Sequence, residues 1–237
     1  MHHQSNPDGE LYRIFLDPRR RTRQVHKWHH YFDVYERFLA PFRGRPVTLL
    51  EIGVYQGGSL EMWRAYLGPQ SRIVGIDIDP ACAAYAGDGV QVFIGDQADP
   101  AFLSRVLAEV GAPDIVVDDG GHTAAQQITA FEAIYPALPC PGIYLVEDTH
   151  TAFWGGSYAD RYDGRSFLDY AFDRCRSLHE WTMRRDAFGR YGTPPEARSG
   201  APTPVSEFCR RTGAISFFDS VVVFERAERP EPWHEVR

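Results

Sequence analysis

The sequence predicts an α/β fold in which helices cover both faces of a seven-stranded, mostly parallel sheet that ends in a C-terminal antiparallel hairpin. Three observations predict this fold. From residue 47 onward, short apolar runs alternate with stretches of helical spacing, the order of repeated strand and helix units. The runs are continuous, which indicates strands buried on both faces of a parallel sheet. The last two runs are joined by so short a turn that they must pair antiparallel.

Each element has its own signal along the chain. Before the first strand, the spacing of Val34, Phe38 and Leu39 predicts an amphipathic helix over 27–39. The apolar runs predict strands over 47–52, 72–76, 90–94, 114–117, 143–146, 214–218 and 220–224. Helical spacing predicts helices over 59–66, 80–86, 100–109, 124–138, 166–181 and 205–211. Five parallel strands followed by a hairpin form the Rossmann-like sheet of class I methyltransferases.

The chain divides into an N-terminal segment and one domain. Residues 1–24 are polar and irregular, and residues 25–237 are interpreted as a single methyltransferase domain. The segment ends in an arginine-rich run over 19–23. A solvated tail is the preferred interpretation of such a charge run, with phosphate binding as the alternative.

Composition narrows the class of protein. Hydrophobic residues make up 43% and charged residues 24% of the chain, which excludes general disorder and is typical of a folded soluble protein. The 25 basic and 32 acidic side chains give a formal net charge of −7. We therefore expect no nucleic-acid partner and no binding to acidic membranes.

Cysteines and apolar runs indicate the cellular compartment. The four cysteines lie far apart and without CxxC spacing, which argues against a structural zinc site or a disulfide framework. No apolar run approaches the roughly 18–20 residues that span a bilayer, and the first residues lack a signal-peptide core. The expectation is a reduced, cytoplasmic protein.

A glycine-rich turn follows the first predicted strand. Residues 49–59 read LLEIGVYQGGS, with Glu51 at the strand end, Gly53 and Gly57 in the turn and Ser59 at the helix start. Glycines let a backbone approach a ligand closely, and a helix start offers free N–H groups. The pattern is not the dinucleotide motif GxGxxG, and it suits a ligand with an amino-acid and a nucleoside part. A plain tight turn is the structural alternative.

Polar side chains also end the second and third strands. Asp77 lies 24 residues beyond Gly53, where a carboxylate can accept hydrogen bonds from both ribose hydroxyls. Asp96 and Gln97 end the third strand, and their side-chain oxygens can accept a hydrogen bond from the amino group of an adenine. We expect these residues to line a nucleoside pocket. The alternative for Asp77 is a helix N-cap before Pro80.

A second group of acidic residues ends the fourth and fifth strands. The sequences are DDGGH over 118–122 and EDTH over 147–150. These strands are expected to be neighbours, about 4.8 Å apart, so that their ends share a ligand. Converging carboxylates suit Mg²⁺ or another divalent ion that prefers oxygen ligands. Strand-end caps exposed to water are the alternative.

His122 is the candidate general base. It lies three residues after Asp119 at the start of the next helix, where a neutral imidazole is able to take a proton from a hydroxyl at the metal. A lone histidine is more often structural than catalytic. His150 and the histidines of the cluster over 27–30 are alternative candidates for the same role. The position of His122 favours it.

Several of these motifs together resemble a known family. The sequences over 27–31, 51–60, 118–122 and 147–148, and the hairpin over 215–223, look like those of metal-dependent sugar O-methyltransferases of antibiotic and polysaccharide biosynthesis. Macrocin, mycinamicin and rhamnosyl O-methyltransferases are examples. The resemblance runs from Lys27 to Arg226. We expect the chain to differ from the macrolide enzymes in lacking their long N-terminal auxiliary domain, so their substrate is not carried over. In size it is similar to the mycobacterial methylmannose polysaccharide 1-O-methyltransferase.

The resemblance implies an activity and roles for named residues. It implies that Asp119, Glu147 and Asp148 hold Mg²⁺ and that His122 is the base. The expected reaction is transfer of a methyl group from S-adenosyl-L-methionine to a sugar hydroxyl, with S-adenosylhomocysteine as the product. Coordination to Mg²⁺ would make the weakly acidic hydroxyl easier to deprotonate.

The acceptor is expected to bind against an aromatic segment over 151–191. Candidate contacts are Tyr31, Trp154, Tyr158 and Tyr162, with Asp160 and Asp163 between the aromatic side chains. Aromatic faces and carboxylates suit a sugar, although part of the segment has core spacing. A homodimer is a reasonable expectation.

Two other functions are also compatible with the sequence. One is methylation of a small catechol-type phenol, in which the same metal would chelate two phenolic oxygens. The other is a catalytically silent module that binds S-adenosylmethionine and regulates a partner. The presence of all three candidate ligands and His122 argues against the silent module.

Overall fold

The computed structural model describes residues 9–20 and 22–237. Residues 1–8 and position 21, which belong to the predicted polar segment and its arginine-rich run, lie outside the described residues. Within the described residues, no helix combines the length and the apolar character that crossing a membrane requires.

The described residues form the predicted seven-stranded sheet. The strands are β1 (Thr48–Ile52), β2 (Arg72–Asp77), β3 (Val90–Ile94), β4 (Ile115–Asp118), β5 (Gly142–Val146), β6 (Thr212–Phe218) and β7 (Val221–Arg226). Their spatial order is β3-β2-β1-β4-β5-β7-β6. The first five pair in parallel, and β7 pairs antiparallel with both β5 and β6. The order reverses between β1 and β4, which is where open α/β sheets bind ligands.

Both faces of the sheet are buried, as the continuous apolar runs predict. Leu49 of β1 belongs to one core cluster and the next residue, Leu50, to the other. Ile115 and Val116 of β4 divide in the same way. Because successive side chains of a strand point to opposite faces, each central strand needs apolar residues at almost every position.

Helices cover the two faces in separate groups. They are α1 (Glu10–Leu16), α2 (Tyr31–Leu39), α3 (Gly58–Leu67), α4 (Pro100–Val110), α5 (Ala124–Ile134), α6 (Phe167–Ser177), α7 (Ala187–Tyr191) and α8 (Glu207–Arg211). The first three contribute to the core cluster that contains Leu49. The next three contribute to the cluster that contains Leu50. Single 3₁₀ turns lie at Pro18–Arg20, Ala40–Phe42, Pro80–Tyr85, Tyr135–Ala137, Thr149–Phe153, Gly156–Tyr158 and Pro195–Ala197.

The N-terminal segment is more ordered than its sequence predicts. Helix α1 lies within the stretch 1–24 that was predicted to be irregular, and its Leu11 and Ile14 are completely buried. The sequence does not reveal this helix clearly, because seven residues are too few to show a repeating apolar pattern and polar residues lie on both sides of the pair. The next helix begins at Tyr31 instead of residue 27, and residues 24–28 form an irregular connection that brings Lys27 to the ends of the central strands.

The C-terminal part packs as a small separate cluster. Trp181, Ala187, Tyr191 and Cys209 form an apolar group. Glu231, in the chain after β7, fixes this group because its carboxylate accepts hydrogen bonds from Arg198 Nη1 (3.1 Å) and the backbone N–H of Thr203 (2.9 Å). The helix predicted over 166–181 ends at residue 177, and α7 was not predicted.

Candidate active site

A cavity of about 290 Å³ opens at the carboxyl ends of the first three strands. We call it the donor cavity. Of the predicted nucleoside contacts, Gly53, Asp77, Asp96 and Gln97 line it. The other lining residues are Ile52, Tyr55, Ile76, Ile78, Asp79, Cys82, Gly95, Asp119, Gly120, Gly121 and Gln126.

Only glycine fits at position 53. Its φ is +91°, a conformation that residues with a side chain rarely adopt, and a Cβ there would lie 2.0 Å from the carbonyl oxygen of Asp119. The first turn of the sheet therefore packs directly on the backbone that follows β4. This contact joins the donor cavity to the acidic group at the end of β4.

Asp77 shapes the glycine-rich turn as well as lining the cavity. Its Oδ2 accepts hydrogen bonds from the backbone N–H groups of Val54 (2.8 Å) and Tyr55 (2.9 Å), and its Oδ1 accepts one from Asp79 (2.9 Å). Partial burial raises the pKa of Asp77, but these N–H groups outweigh burial and lower it. The helix cap before Pro80 is Asp79 and not Asp77.

Asp96 and Gln97 differ in how many of their side-chain polar atoms form hydrogen bonds within the protein. Gln97 is buried, donates to Asp118 Oδ1 (3.1 Å) and accepts the N–H of Gly121 (2.8 Å). Asp96 accepts the N–H of Ala98 (2.8 Å) with one oxygen. Gln97 thus fixes the loop after β4, whereas Asp96 presents a carboxylate at the cavity wall.

Three predicted cofactor contacts do not line the donor cavity. Glu51 is completely buried beneath it, where it accepts hydrogen bonds from Ser59 Oγ (2.6 Å) and Trp63 Nε1 (2.9 Å). Burial raises the pKa of Glu51 more than the nearby Lys27 lowers it. Gly57 caps α3 in the left-handed conformation, with φ +74°. Glu51, Gly57 and Ser59 therefore support the turn from below.

A second cavity of about 210 Å³ adjoins the donor cavity. We call it the acceptor cavity. The two cavities share the wall residues Gly53, Tyr55, Asp119 and Gly120. The remaining wall residues of the acceptor cavity are His26, Lys27, Trp28, His122, Glu147 and Asp148.

The acceptor cavity holds a group with the chemistry of a divalent-metal site. One ligand atom each of Asp119, His122 and Asp148 lie within 4.8 Å of one another. His122 Nε2 is 3.5 Å from Asp148 Oδ2 and 3.9 Å from Asp119 Oδ1. Two carboxylates and an imidazole converging on one point are a donor set that suits a divalent ion. The fit of the residues to a metal is therefore good.

The third predicted metal ligand, Glu147, lies apart from this group. It is buried, and both of its oxygens accept hydrogen bonds from Lys27 Nζ at 3.0 Å. Burial and the nearby Asp119 raise the pKa of Glu147 well above its usual range. His122 takes the corresponding place in the described group of three.

Tyr31 supports the metal group and does not face an acceptor. It was predicted as a substrate contact, but its ring is completely buried and its hydroxyl donates to Asp148 Oδ1 at 2.5 Å. The bond holds Asp148 with its other oxygen toward His122.

The first acidic residue of the DDGGH motif, Asp118, is also buried, and burial raises its pKa to about 7.

The backbone at the acceptor cavity is strained. Tyr55, His122 and Asp148 have φ values of +50°, +58° and +53°, which place three residues with side chains in the left-handed region. Such conformations cost about 1–3 kcal/mol each and concentrate at functional sites. The sequence carries no signal for this strain, because none of the three positions is glycine.

Helix α5 fixes the position of His122. Thr123 and Gln126 form a capping box at its first turn. The carboxylate of Asp160 accepts the N–H groups of Ala124 (3.0 Å) and Ala125 (3.1 Å). Asp160 was expected to bind a sugar, but the structure uses it to cap the helix that follows the candidate base.

Aromatic side chains extend from the acceptor cavity toward solvent. Trp28 lies 5.9 Å from His150, His150 lies 4.8 Å from Trp154, and Trp154 lies 5.6 Å from Tyr158, between ring centroids. We call these four residues the aromatic row. Trp28 and Trp154 are each 50% exposed.

Sequence reasoning missed half of this row. Trp154 and Tyr158 were predicted as acceptor contacts, whereas Trp28 and His150 were not. The irregular connection before α2 brings Trp28 to the site, and no local pattern predicts that path. Tyr162 lies outside both cavities and pairs through its backbone with Arg165.

Comparison with known proteins identifies relatives. The chain is 39% identical over 179 residues to an 8-demethyl-8-(2-methoxy-alpha-L-rhamnosyl)-tetracenomycin-C 3'-O-methyltransferase from Streptomyces olivaceus, a match that covers 70% of this chain and 45% of the relative. It is 32% identical over 209 residues to the 8-demethyl-8-alpha-L-rhamnosyl tetracenomycin-C 2'-O-methyltransferase of the same organism, covering 84% of this chain and 51% of the relative. No family model matches the chain.

A solved structure supports the same relationship. The MycE methyltransferase from the mycinamycin biosynthetic pathway, in complex with Mg and SAH, superposes with a TM-score of 0.72 at 26% identity, over 97% of this chain and 55% of MycE. The chain therefore spans about half the length of the relatives it matches. Over that span it has the Rossmann-like methyltransferase fold and is homologous to sugar O-methyltransferases of the tetracenomycin and mycinamycin type.

Proposed function

We propose that this chain transfers the methyl group of S-adenosylmethionine to a sugar hydroxyl with the help of a divalent metal. The observation that carries the proposal is the common wall of the two cavities, formed by Gly53, Tyr55, Asp119 and Gly120. A donor in one cavity and an acceptor in the other would meet across this wall. Holding two reactants in line is the main task of an enzyme that catalyses a displacement.

The donor cavity offers groups for the nucleoside part of the cofactor. Asp77 and Asp96 present carboxylates for hydroxyl and amino groups, and Ile78 is an exposed apolar neighbour. When bound, S-adenosylmethionine supplies an electrophilic methyl group on a sulfonium. The relatives named above are O-methyltransferases, and MycE was solved with the product SAH.

Asp119 and Asp148 are the residues that would hold the metal, with His122 or Glu147 as a third ligand. When bound, a divalent cation makes a neighbouring hydroxyl more acidic. Asp119 directs Oδ1 and Asp148 directs Oδ2 toward the same point near His122 Nε2. MycE has also been solved in complex with Mg, SAH and mycinamycin VI.

His122 is the residue we assign to remove the proton. Its Nε2 faces the two carboxylates, whereas its Nδ1 is buried and has no hydrogen-bond partner among the described residues. Because Nδ1 is enclosed, Nε2 is the nitrogen with which a neutral imidazole would accept a proton from a hydroxyl held near the two carboxylates. Asp148 would stabilise the imidazolium, and Tyr31 would keep Asp148 in place.

The aromatic row supports a sugar as the acceptor. A sugar has apolar CH faces that pack on aromatic rings, and Trp28 and Trp154 present half-exposed rings next to the acceptor cavity. The relatives act on sugars that their names specify, such as a rhamnosyl group. Location in the cytoplasm and a homodimer stay predictions.

The proposal is tested by methyl transfer to a panel of acceptors. The protein is incubated with S-adenosylmethionine, Mg²⁺ and either rhamnosides, methylmannosides or catechol, and SAH formation is measured. We expect product with at least one sugar and none above background with catechol. Product with catechol alone would replace the sugar by a phenol, and binding of S-adenosylmethionine without any product would favour the silent module.

A further inference from the structure

Lys27 is the only lysine among the 25 basic residues of the chain. All the others are arginine, including the buried Arg226. The side chain of Lys27 is 2% exposed, although lysine is almost never buried without a partner. The single compact ammonium group of the chain thus lies in the interior.

Three carboxylates surround this ammonium group. Lys27 Nζ lies 2.5 Å from Asp119 Oδ2, 3.0 Å from both oxygens of Glu147 and 3.6 Å from Glu51 Oε1. The rings of Tyr35 and Trp63 close the pocket, with centroids 6.0 and 5.9 Å from Nζ. A guanidinium is planar and larger, whereas an ammonium is a point charge with three donors.

Asp119 connects this pocket to the proposed metal group. Its Oδ2 accepts the hydrogen bond from Lys27, and its Oδ1 faces His122 Nε2 at 3.9 Å. The positive charge of Lys27 is therefore one carboxylate away from the point where a divalent cation would bind. Two cations at this distance repel each other, and protein interiors screen that repulsion far less than water does.

We propose that Lys27 is a built-in counter-cation of the metal site, which holds Glu51, Asp119 and Glu147 in place when no divalent ion is bound and lowers the affinity of the site for that ion. The inference rests on the proposed metal site but not on the sugar acceptor or on methyl transfer. It assigns the irregular connection before α2 a function, because that connection brings the ammonium group to the ends of β1, β4 and β5.

Substitution of Lys27 by methionine tests the proposal without any turnover. Mn²⁺ affinity is measured by calorimetry, and melting temperature is measured with EDTA and with saturating Mn²⁺. Lys27→Met should bind Mn²⁺ about tenfold more tightly, the scale on which partners of metal ligands change metal affinity. With EDTA it should melt below the wild type, and Mn²⁺ should close most of that gap.

Arg226→Met is the matched control. Arg226 is another buried cation, but its guanidinium bonds the carbonyl oxygens of Pro136 and Leu138 outside the site. This variant should lose stability equally with and without Mn²⁺, at unchanged Mn²⁺ affinity. The proposal would be overturned if Lys27→Met bound Mn²⁺ no more tightly than the wild type. It would also be overturned if neither the wild type nor Lys27→Met bound Mn²⁺.

A measurement on the wild type covers the case in which Lys27→Met does not fold. Because the chain has one lysine, protein labelled with [¹⁵N]lysine gives one ε-ammonium signal. Titration with Mg²⁺ should shift this signal in step with the calorimetric binding curve. A signal that stays unmoved while Mg²⁺ binds would contradict a counter-cation beside the metal.

Discussion

The sequence placed His122 and His150 as competitors for the role of base. Both lie beside Asp148, since His150 Nδ1 is 4.0 Å from Asp148 Oδ1 and His122 Nε2 is 3.5 Å from Asp148 Oδ2, but their other neighbours differ. His122 Nε2 faces Asp119 and Asp148, whereas the ring of His150 stands between Trp28 and Trp154 in the aromatic row. A base needs a nitrogen directed at the reacting hydroxyl, and a ring within an aromatic row serves binding. The geometry favours His122 for proton transfer and His150 for contact with the acceptor.

Replacement of these two histidines separates the roles. His122→Ala should lower kcat by about 10²–10⁴-fold, the range that general bases contribute. His150→Ala should mainly raise KM for the acceptor, because it removes a binding surface. Both variants should keep the affinity for S-adenosylmethionine, measured by calorimetry.

The third ligand of the metal can be identified with the same variant. Because we assign His122 as the base and not as a metal ligand, His122→Ala should bind Mn²⁺ as tightly as the wild type. Weaker Mn²⁺ binding would instead indicate that His122 is the third ligand. Normal turnover by His122→Ala together with an inactive His150→Ala would show that the base was assigned to the wrong residue.

Asp77 is the donor-cavity residue whose loss should be easiest to measure. Asp77→Ala should weaken S-adenosylmethionine binding by about 1–3 kcal/mol, the scale of lost hydrogen bonds to a charged group. Part of the loss would come from the turn, since Asp77 also holds Val54 and Tyr55. Calorimetric affinity equal to that of the wild type would remove Asp77 from the site.

Strand-end residues are predictable from the sequence, but the direction of each side chain is not. Asp77, Asp96, Asp119 and Asp148 all reach a cavity, as predicted from the strand ends. Glu51 ends a strand too, yet it points beneath the turn toward Trp63. Because side chains alternate between faces, a change of one position reverses the direction, and the pattern does not fix the strand end that closely.

At the scale of elements, the connections that carry the site are better defined than their sequences suggest. Helix α1 and the connection over 24–28 lie in or next to a stretch predicted as polar and irregular, and the connection brings Lys27 and Trp28 to the site. The strands of the sheet were predicted to within about two residues at each end. Their apolar runs are local signals, whereas the path of a polar connection depends on contacts that are distant in sequence.

The segment after β7 acts as a clamp through Glu231. Burial raises the pKa of this carboxyl, but hydrogen bonds from Thr203 and Arg190 outweigh burial and bring the pKa down to about 2. A lowered pKa stabilises the fold above the ordinary value of 4.5, and the contribution disappears as the pH falls toward 2. The sign is that of a carboxylate held in its charged form.

Glu231→Gln should therefore lower stability by about 1–3 kcal/mol at neutral pH, which for a chain of this size is a melting-temperature loss of roughly 2–4 °C per kcal/mol. The difference from the wild type should shrink between pH 4.5 and 2. Glu235→Gln is the control, because Glu235 is more exposed and pairs with the nearby Arg237. An equal loss in both variants would contradict the clamp.

At the scale of the whole molecule, the site follows from the strand order. Reversal of the order between β1 and β4 places both cavities at one edge of the sheet, at the position where such sheets bind ligands. The fold class and the hairpin were predicted from the sequence and confirmed, whereas the binding roles of the two groups of strand-end residues stay predictions. The joining of the two cavities through Gly53 was not predicted, because it depends on three-dimensional contact between two turns.

Metal dependence of methyl transfer tests the central claim most directly. SAH formation is measured with the best sugar of the panel after exhaustive chelation, after return of Mg²⁺, and in an Asp148→Asn variant that keeps the donor cavity. Turnover should fall to background on chelation and return with Mg²⁺, and Asp148→Asn should respond only weakly to Mg²⁺ while binding SAH normally. Full turnover by the chelated wild type would contradict a metal site at Asp119 and Asp148.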